Sequence, residues 1–305
     1  GGTFSQARLS MTARLVGGEI DVADIQSLDG SMKVRGTSIN YLDPLPIFSN
    51  IAANASFTAD RLSIDVTSAR LDEVRVERAS VNLSGLRSKN IHMAIDMHVR
   101  GPAGTIAVVL DHEPLKLIRV LDLSPQQIKG DVDARINLEF PLSTKLTAKM
   151  VNVNVDGRIF DATIDESPYG IGFSNGNLSL HVDNDKLEAA GVLVAPGVRT
   201  LLDWRTNFGV DAYIRNRIGL SGRLNDRERQ RVGMIPIPFL TGPIQLDIDY
   251  SEYNDGHTVL AIDGDISLAK VDIDLIDWHK AVQERGKFGM FLVTQADGSV
   301  DIESF

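Results

Sequence analysis

The nine residues Ile91-His92-Met93-Ala94-Ile95-Asp96-Met97-His98-Val99 carry an apolar side chain at every odd position and a polar or small one at every even position. Successive side chains of a strand point to opposite faces, so this segment reads as a strand with one oily face and one wet face. The same alternation recurs along most of the chain. Leu62, Ile64 and Val66 alternate with Ser63, Asp65 and Thr67. Val74 and Val76 alternate with Arg75 and Glu77, and Val81 and Leu83 follow. Val132, Ala134, Ile136, Leu138 and Phe140 alternate with charged or amide residues, as do Val151, Val153 and Val155. Leu178, Leu180 and Val182 continue the pattern, then Ile244, Leu246, Ile248 and Tyr250, then Val271, Ile273 and Leu275. A chain written this way is all-β, and it has a very large apolar sheet face to cover.

Turn signals divide the runs: Asp29-Gly30, Ser84-Gly85, Gly101-Pro102-Ala103-Gly104, Asp156-Gly157, Asn175-Gly176, Asp255-Gly256 and Asp297-Gly298. Asn-Gly and Asp-Gly supply the positive φ of tight hairpins, so the expected connectivity is a sequential antiparallel meander of about fifteen or more strands. Helical spacing is sparse. It covers 113–122, with Pro114 suited to a first turn, a charged turn at 225–232 capped by Asn225 or Asp226, and a short piece at 278–285 ended by Gly286. These pieces can plug an end or an edge but cannot blanket the sheet. The segment 113–125 is the one plausible internal seam. The chain starts abruptly at Gly1 and ends just after a strand-like run, and it reads as an excised fragment of a longer protein.

The formal charge of -10 argues against nucleic acid, whose phosphates need Lys and Arg. The absence of cysteine removes disulfides, thiolate metal sites and a Cys nucleophile. No nucleophile elbow, phosphate loop or His-Glu-x-x-His is present; Gly219-Leu220-Ser221-Gly222 is off-register for an elbow. His92 and His98 share a polar strand face but lie ~20 Å apart at ~3.3 Å per residue, too far for one metal. Asp272, Asp274 and Asp277 lack the spacing of a calcium loop. No metal, cofactor or catalytic residue is expected. Met234-Ile235-Pro236-Ile237-Pro238-Phe239-Leu240 reads as a gate, an end cap or a buried connection. Trp204 and Trp278 suit either a groove rim or simple packing.

Open twisted sheets rarely exceed ~10 strands without curling or splitting. A sandwich, a closed barrel and a curled trough all remain open. Aromatics are only 6% of the chain, and the stripes are mostly Ile, Leu, Val and Met. A trough lined by these and left open exposes more apolar surface than a soluble monomer tolerates, and alkyl chains are its natural filling.

Several short motifs then occur in a telling order. Gly242-Pro243-Ile244 opens a strand, Asp265-Ile266-Ser267-Leu268-Ala269 follows, and Asp277-Trp278-His279-Lys280 comes last. Earlier come Leu42-Asp43-Pro44-Leu45-Pro46, Pro114-Leu115-Lys116-Leu117, Ile128-Lys129-Gly130 and Phe140-Pro141-Leu142. Together they resemble the AsmA-like domain of YhdP-type envelope proteins of Gram-negative bacteria, which often show a Gly-Pro strand, then Asp-Leu-Thr-x-Ala, then Gly-Trp-x-Lys. The departures here are conservative, and the resemblance covers most of residues 1–305.

The resemblance implies a long, strongly curled antiparallel sheet forming a hydrophobic groove. It implies a periplasmic bridge that moves phospholipids between inner and outer membranes, anchored in the inner membrane by an N-terminal helix missing from this segment. Outer-membrane or other envelope proteins are further implied partners. Acyl chains would lie against Leu62, Ile64, Val66, Ile91, Met93, Ile95, Met97 and Val99. They would continue over Val132, Ile136, Leu138, Met150, Val153, Leu178, Leu180, Ile244, Leu246 and Ile248. Each buried CH₂ is worth ~0.8 kcal/mol, so a lipid is held out of water yet slides between equivalent sites. The rival is a structural or adhesive β-module with a self-filled core and no lipid cargo.

Overall fold

A computed structural model describes residues 2–16, 19–40, 47–111, 118, 123–143, 145–165, 172–209 and 212–304. The chain divides into two compact units. The first comprises Gly1–Val120, Ser124–Gln126 and Asp131–Gly157; the second comprises Leu121–Leu123, Gln127–Gly130 and Arg158–Phe305. The seam expected at 113–125, and the helix expected at 113–122, fall mostly outside the described residues. Ile118 is described there, helical and buried. The motifs at 42–46 and 114–117 lie outside them too.

The first unit carries β1 (Thr3–Val16), β2 (Glu19–Ile39), β3 (Phe48–Thr58), β4 (Arg61–Leu71), β5 (Val74–Ser84), β6 (His92–Pro102), helix α1 (Ala103–Leu110), β7 (Ile128–Pro141) and the start of β8 (Asn152–Ile164). The second carries β9 (Phe173–Val182), β10 (Lys186–Ala195), β11 (Val198–Asn207), β12 (Ile214–Leu224), helix α2 (Asp226–Arg231) and β13 (Leu240–Thr241). It continues with β14 (Ile244–Tyr253), β15 (Thr258–Asp265), β16 (Lys270–Ile273), β17 (Trp278–Lys280), β18 (Lys287–Thr294) and β19 (Val300–Ser304). Among the described residues, sixteen strands hydrogen-bond in chain order, and β13, β16 and β17 form a separate three-stranded sheet. The all-β meander expected from the alternation is therefore present.

The alternation also explains a change of phase. Val74 and Val76 are even-numbered, whereas Ala79, Val81 and Leu83 are odd. Strand β4 switches too, from Ile64 and Val66 to Ala69 and Leu71. The β4–β5 ladder runs from Val66 opposite Ala79 to Ala69 opposite Val76, passing over the residues between. Both strands slip one residue at one level, as a bulge does, so the apolar side chains stay on one face.

Three glycine signals prove to be strand positions rather than turns. Gly30 lies inside β2 opposite Phe57, and a Cβ there would fall 2.4 Å from the ring's Cζ. Gly157 lies inside β8, where a Cβ would sit 2.7 Å from that of Ala134. Gly176 is buried inside β9 beside Asn175, whose φ is +50°. Each makes room for a neighbour, which removes the need for a reversal. Gly85, Gly256 and Gly298, at φ of +75°, +89° and +84°, do turn the chain. The expected turn at Gly101–Gly104 is instead the end of β6 and the start of α1, with Pro102 as N-cap.

The expected helix at 278–285 is also corrected. Trp278–Lys280 pairs with Val271–Ile273 as β17. Asp277 at φ +53° reverses the chain just before it. The charged turn at 225–232 is a helix as expected. Asn225 Oδ1 accepts from the backbone N–H of Arg227 and Glu228 at 3.0 and 3.1 Å, and the Asn225 N–H donates to Glu228 at 2.8 Å.

Candidate functional site

The ladders line up apolar residues in rows that run across the strands. In the first unit one row reads Leu9, Gly30, Phe57, Leu62, Leu83, Met93, Phe140. The next reads Met32, Ala55, Ile64, Val81, Ile95, Leu138. A third reads Phe4, Val34, Ala53, Val66, Ala79, Met97, Ile136. A fourth, Ala69, Val76, Val99, Ala134, is closely packed, with Val76 and Val99 each 4% exposed. Burial fades away from that fourth row: Leu62, Ile64, Met93 and Ile95 are only half-buried. This gradient is a face that packs at one end of its strands and stays open toward the other.

The second unit repeats the arrangement. Leu180, Ala189, Trp204, Ile218, Tyr250, Leu260, Leu292 and Ile302 form one row. Leu178, Gly191, Leu202, Leu220, Ile248, Ile262 and Met290 form the next. One end of this face is plugged. Val198, Leu224, Ile244 and Leu246 pack with Leu240, Ala269 and Val271 of the three-stranded sheet region, and Met234 and Ile237 close against them. Met234, Ile237 and Leu240 of the 234–240 run close this end, whereas Ile235, Pro236, Pro238 and Phe239 are exposed.

Two buried cations hold this plug through backbone carbonyls. Lys280 Nζ donates to the carbonyls of Ala269 at 2.9 Å, Ala281 at 3.1 Å and Ser267 at 3.4 Å. Arg229 donates to the carbonyl of Gly242 at 2.6 Å and pairs with Asp226.

The sequence-derived lining residues fall into two groups. Leu62, Ile64, Val66, Ile91, Met93, Ile95, Met97, Leu138, Leu178, Leu180 and Ile248 are half-buried. Val99, Val132, Ile136, Val153, Ile244 and Leu246 are buried. Met150 belongs to neither: it ends a 3-10 turn (Ala148–Met150) and is 41% exposed. Trp204 lies within an apolar row, while Trp278 is an exposed residue of the small sheet.

On the wet face His98 stands between two carboxylates, Nε2 at 2.6 Å from Asp133 and Nδ1 at 3.4 Å from Glu77. Arg100 bridges the same pair at 2.6 and 3.1 Å. The His98 hydrogen bond, aided by Arg100, holds the Asp133 carboxyl below the usual carboxylate range. This is an ion-pair network on a solvated face. Among the described residues no cluster of His, Asp and Glu is arranged to hold a metal. Also among them, no helix is long and apolar enough to cross a membrane.

The model of the family described as "YhdP protein" matches residues 2–290. The chain belongs to this family. A relative from Escherichia coli (strain K12), the "Intermembrane phospholipid transporter YhdP", is 33% identical over 89 residues. That match covers 26% of this chain and 7% of the relative. No solved structure matches the chain.

Within this YhdP-family chain, sequence reasoning missed two features. The first is the plug, assembled from strands far apart in sequence. The second is a polar row on the apolar face of the second unit: Thr206, Asn216, Glu252, Thr258, Thr294. Its signal was available, because each residue stands two places beyond an apolar one of the same stripe, as in Trp204–Thr206, Ile218–Asn216 and Tyr250–Glu252.

Proposed function

We propose that this chain binds phospholipid acyl chains on the apolar rows of its sheet and supports phospholipid transfer between inner and outer membranes. The observation that carries the reading is the pair of open, half-buried aliphatic rows. They keep one register across six or more strands within each unit. Aliphatic rows that stay half-exposed across so many strands are poor long-term neighbours for water.

In this reading the sheet curls so that its rows line a trough. The chain works in the periplasm as part of a longer protein, as a carrier and not a catalyst. That protein is anchored in the inner membrane by an N-terminal helix and meets outer-membrane or envelope proteins at its far end. Family membership and the transporter relative support the cargo class. Rows of equivalent aliphatic residues without charged pockets favour sliding and weak headgroup selectivity.

The test is a phospholipid carrying an acyl-chain fluorophore, titrated into detergent-free protein. Saturable enhancement, abolished by competing unlabelled phospholipid, supports the reading. A flat titration on folded protein rejects it in favour of a self-filled structural module.

A further inference from the structure

The apolar face of the second unit has a chemical boundary that runs parallel to its rows. Thr206, Asn216, Glu252, Thr258 and Thr294 are direct ladder neighbours in sequence across β11, β12, β14, β15 and β18. The adjacent row on the same face contains the two amphipathic aromatics, Trp204 and Tyr250. Both turn their polar tips to the polar row. Trp204 Nε1 donates to Asn216 Oδ1 at 2.8 Å, where Thr206 Oγ1 also donates at 3.0 Å. The Tyr250 hydroxyl shares a hydrogen bond with the Thr258 side chain. Trp and Tyr with one apolar and one wet end are the residues that settle where hydrocarbon meets headgroup.

The distances fit one lipid. From Glu252 to Leu246, where the plug begins, β14 advances six residues, ~20 Å at ~3.3 Å per residue. Half of a bilayer's ~30 Å hydrocarbon core is ~15 Å, the depth one extended acyl chain fills. The accessible part of the row lies toward β15 and β18, since Thr206 and Asn216 are buried whereas Glu252, Thr258 and Thr294 are half-buried.

We infer that this polar row is a headgroup rail: phospholipid lies along the strands of the second unit, its glycerophosphate end at Tyr250, Thr258 and Thr294 and its chain ends toward the plug. The inference rests on the lipid-carrying reading above and adds an orientation to it. Hydroxyl groups at the accessible end of the row hydrogen-bond any phosphodiester without demanding a particular headgroup. The Glu252 carboxylate is already paired with Arg215 at 3.4 Å, which moderates its repulsion of phosphate. Because the row crosses strands, a lipid keeps this orientation while it advances from strand to strand.

The chain has no cysteine, so single labelling sites are available in the whole chain. A fluorophore is attached at Thr258→Cys or at Ile262→Cys, positions on one face and ~13 Å apart. Phosphatidylcholine is supplied with a nitroxide either on its choline or at the end of one chain. The expected result is loss of fluorescence at 258 with the headgroup nitroxide and at 262 with the chain-end nitroxide. Thr294→Cys with Met290→Cys repeats the comparison on β18, in case one variant fails to fold. Equal or reversed quenching by the two lipids overturns the rail while leaving lipid binding intact. Quenching by neither lipid, on folded protein, overturns the rail together with the lipid reading.

Discussion

Replacing Ile95 by Asp separates an open lipid-binding face from an ordinary core. Ile95 is half-buried between Val81 and Leu138. Full burial of an Ile side chain is worth ~1.5–3 kcal/mol, so the half-buried residue loses about 1 kcal/mol, and its carboxylate keeps access to water. Native domains have about 5–15 kcal/mol to lose, so Ile95→Asp should stay folded. The effect on cargo is larger. An acyl chain lying over position 95 strips water from that carboxylate at a cost of several kcal/mol, and ~1.4 kcal/mol is tenfold in affinity, so binding should fall by about 100-fold or more. Val99→Asp is the internal control. Val99 is 4% exposed in the packed fourth row, so its carboxylate has no water and the unit should lose cooperative unfolding. Thermal unfolding by circular dichroism and titration with chain-labelled phospholipid read the two effects. The reasoning fails if Ile95→Asp unfolds as readily as Val99→Asp, or if it binds lipid like the parent.

Other consequences are as specific. A Cβ on Gly264 would lie 2.0 Å from the Phe288 ring, so Gly264→Ala should cost ~1–3 kcal/mol. Most of that should return in the double variant with Phe288→Ala, checked by a urea double-mutant cycle. Lys280→Met leaves carbonyls of the plug without their donor and should cost ~1–3 kcal/mol, read as faster amide exchange at β16 and β17 than at β14. Acid should destabilise the fold. Asp133, Asp265 and Asp272 all ionise below the usual range, so their contribution is complete above ~3.9 and is lost as pH falls through the lower folded values. The melting temperature should therefore hold from pH 8 to 5 and drop below ~4. Asp133→Asn should make that drop shallower, and a fall that begins near pH 6.5 would point to histidine instead.

Much of this architecture is written in a period of two. The alternation around Ile64, Ile95 and Ile136 marked three strands and their apolar faces, and even the phase slip between Val76 and Ala79 is visible as a change of parity. Glycine was the ambiguous letter. Asp29-Gly30 and Asp255-Gly256 look alike, but one clears space for Phe57 and the other turns the chain, and only the partner strand decides which. The plug was illegible for a different reason. Its strands at 240–241, 270–273 and 278–280 are too short to show a period, and its buried Lys280 and Arg229 are satisfied by carbonyls that no local pattern announces. The polar row extends the apolar stripes by one step, as Thr206 follows Trp204, but only the ladders set Thr206, Thr258 and Thr294 side by side.

Native mass spectrometry with lipid extraction, on this chain purified from bacteria without detergent, tests the central claim most directly. The account predicts a heterogeneous set of bound phospholipids, differing in chain and headgroup, on a folded protein. A single lipid-free mass on a stable fold would contradict it.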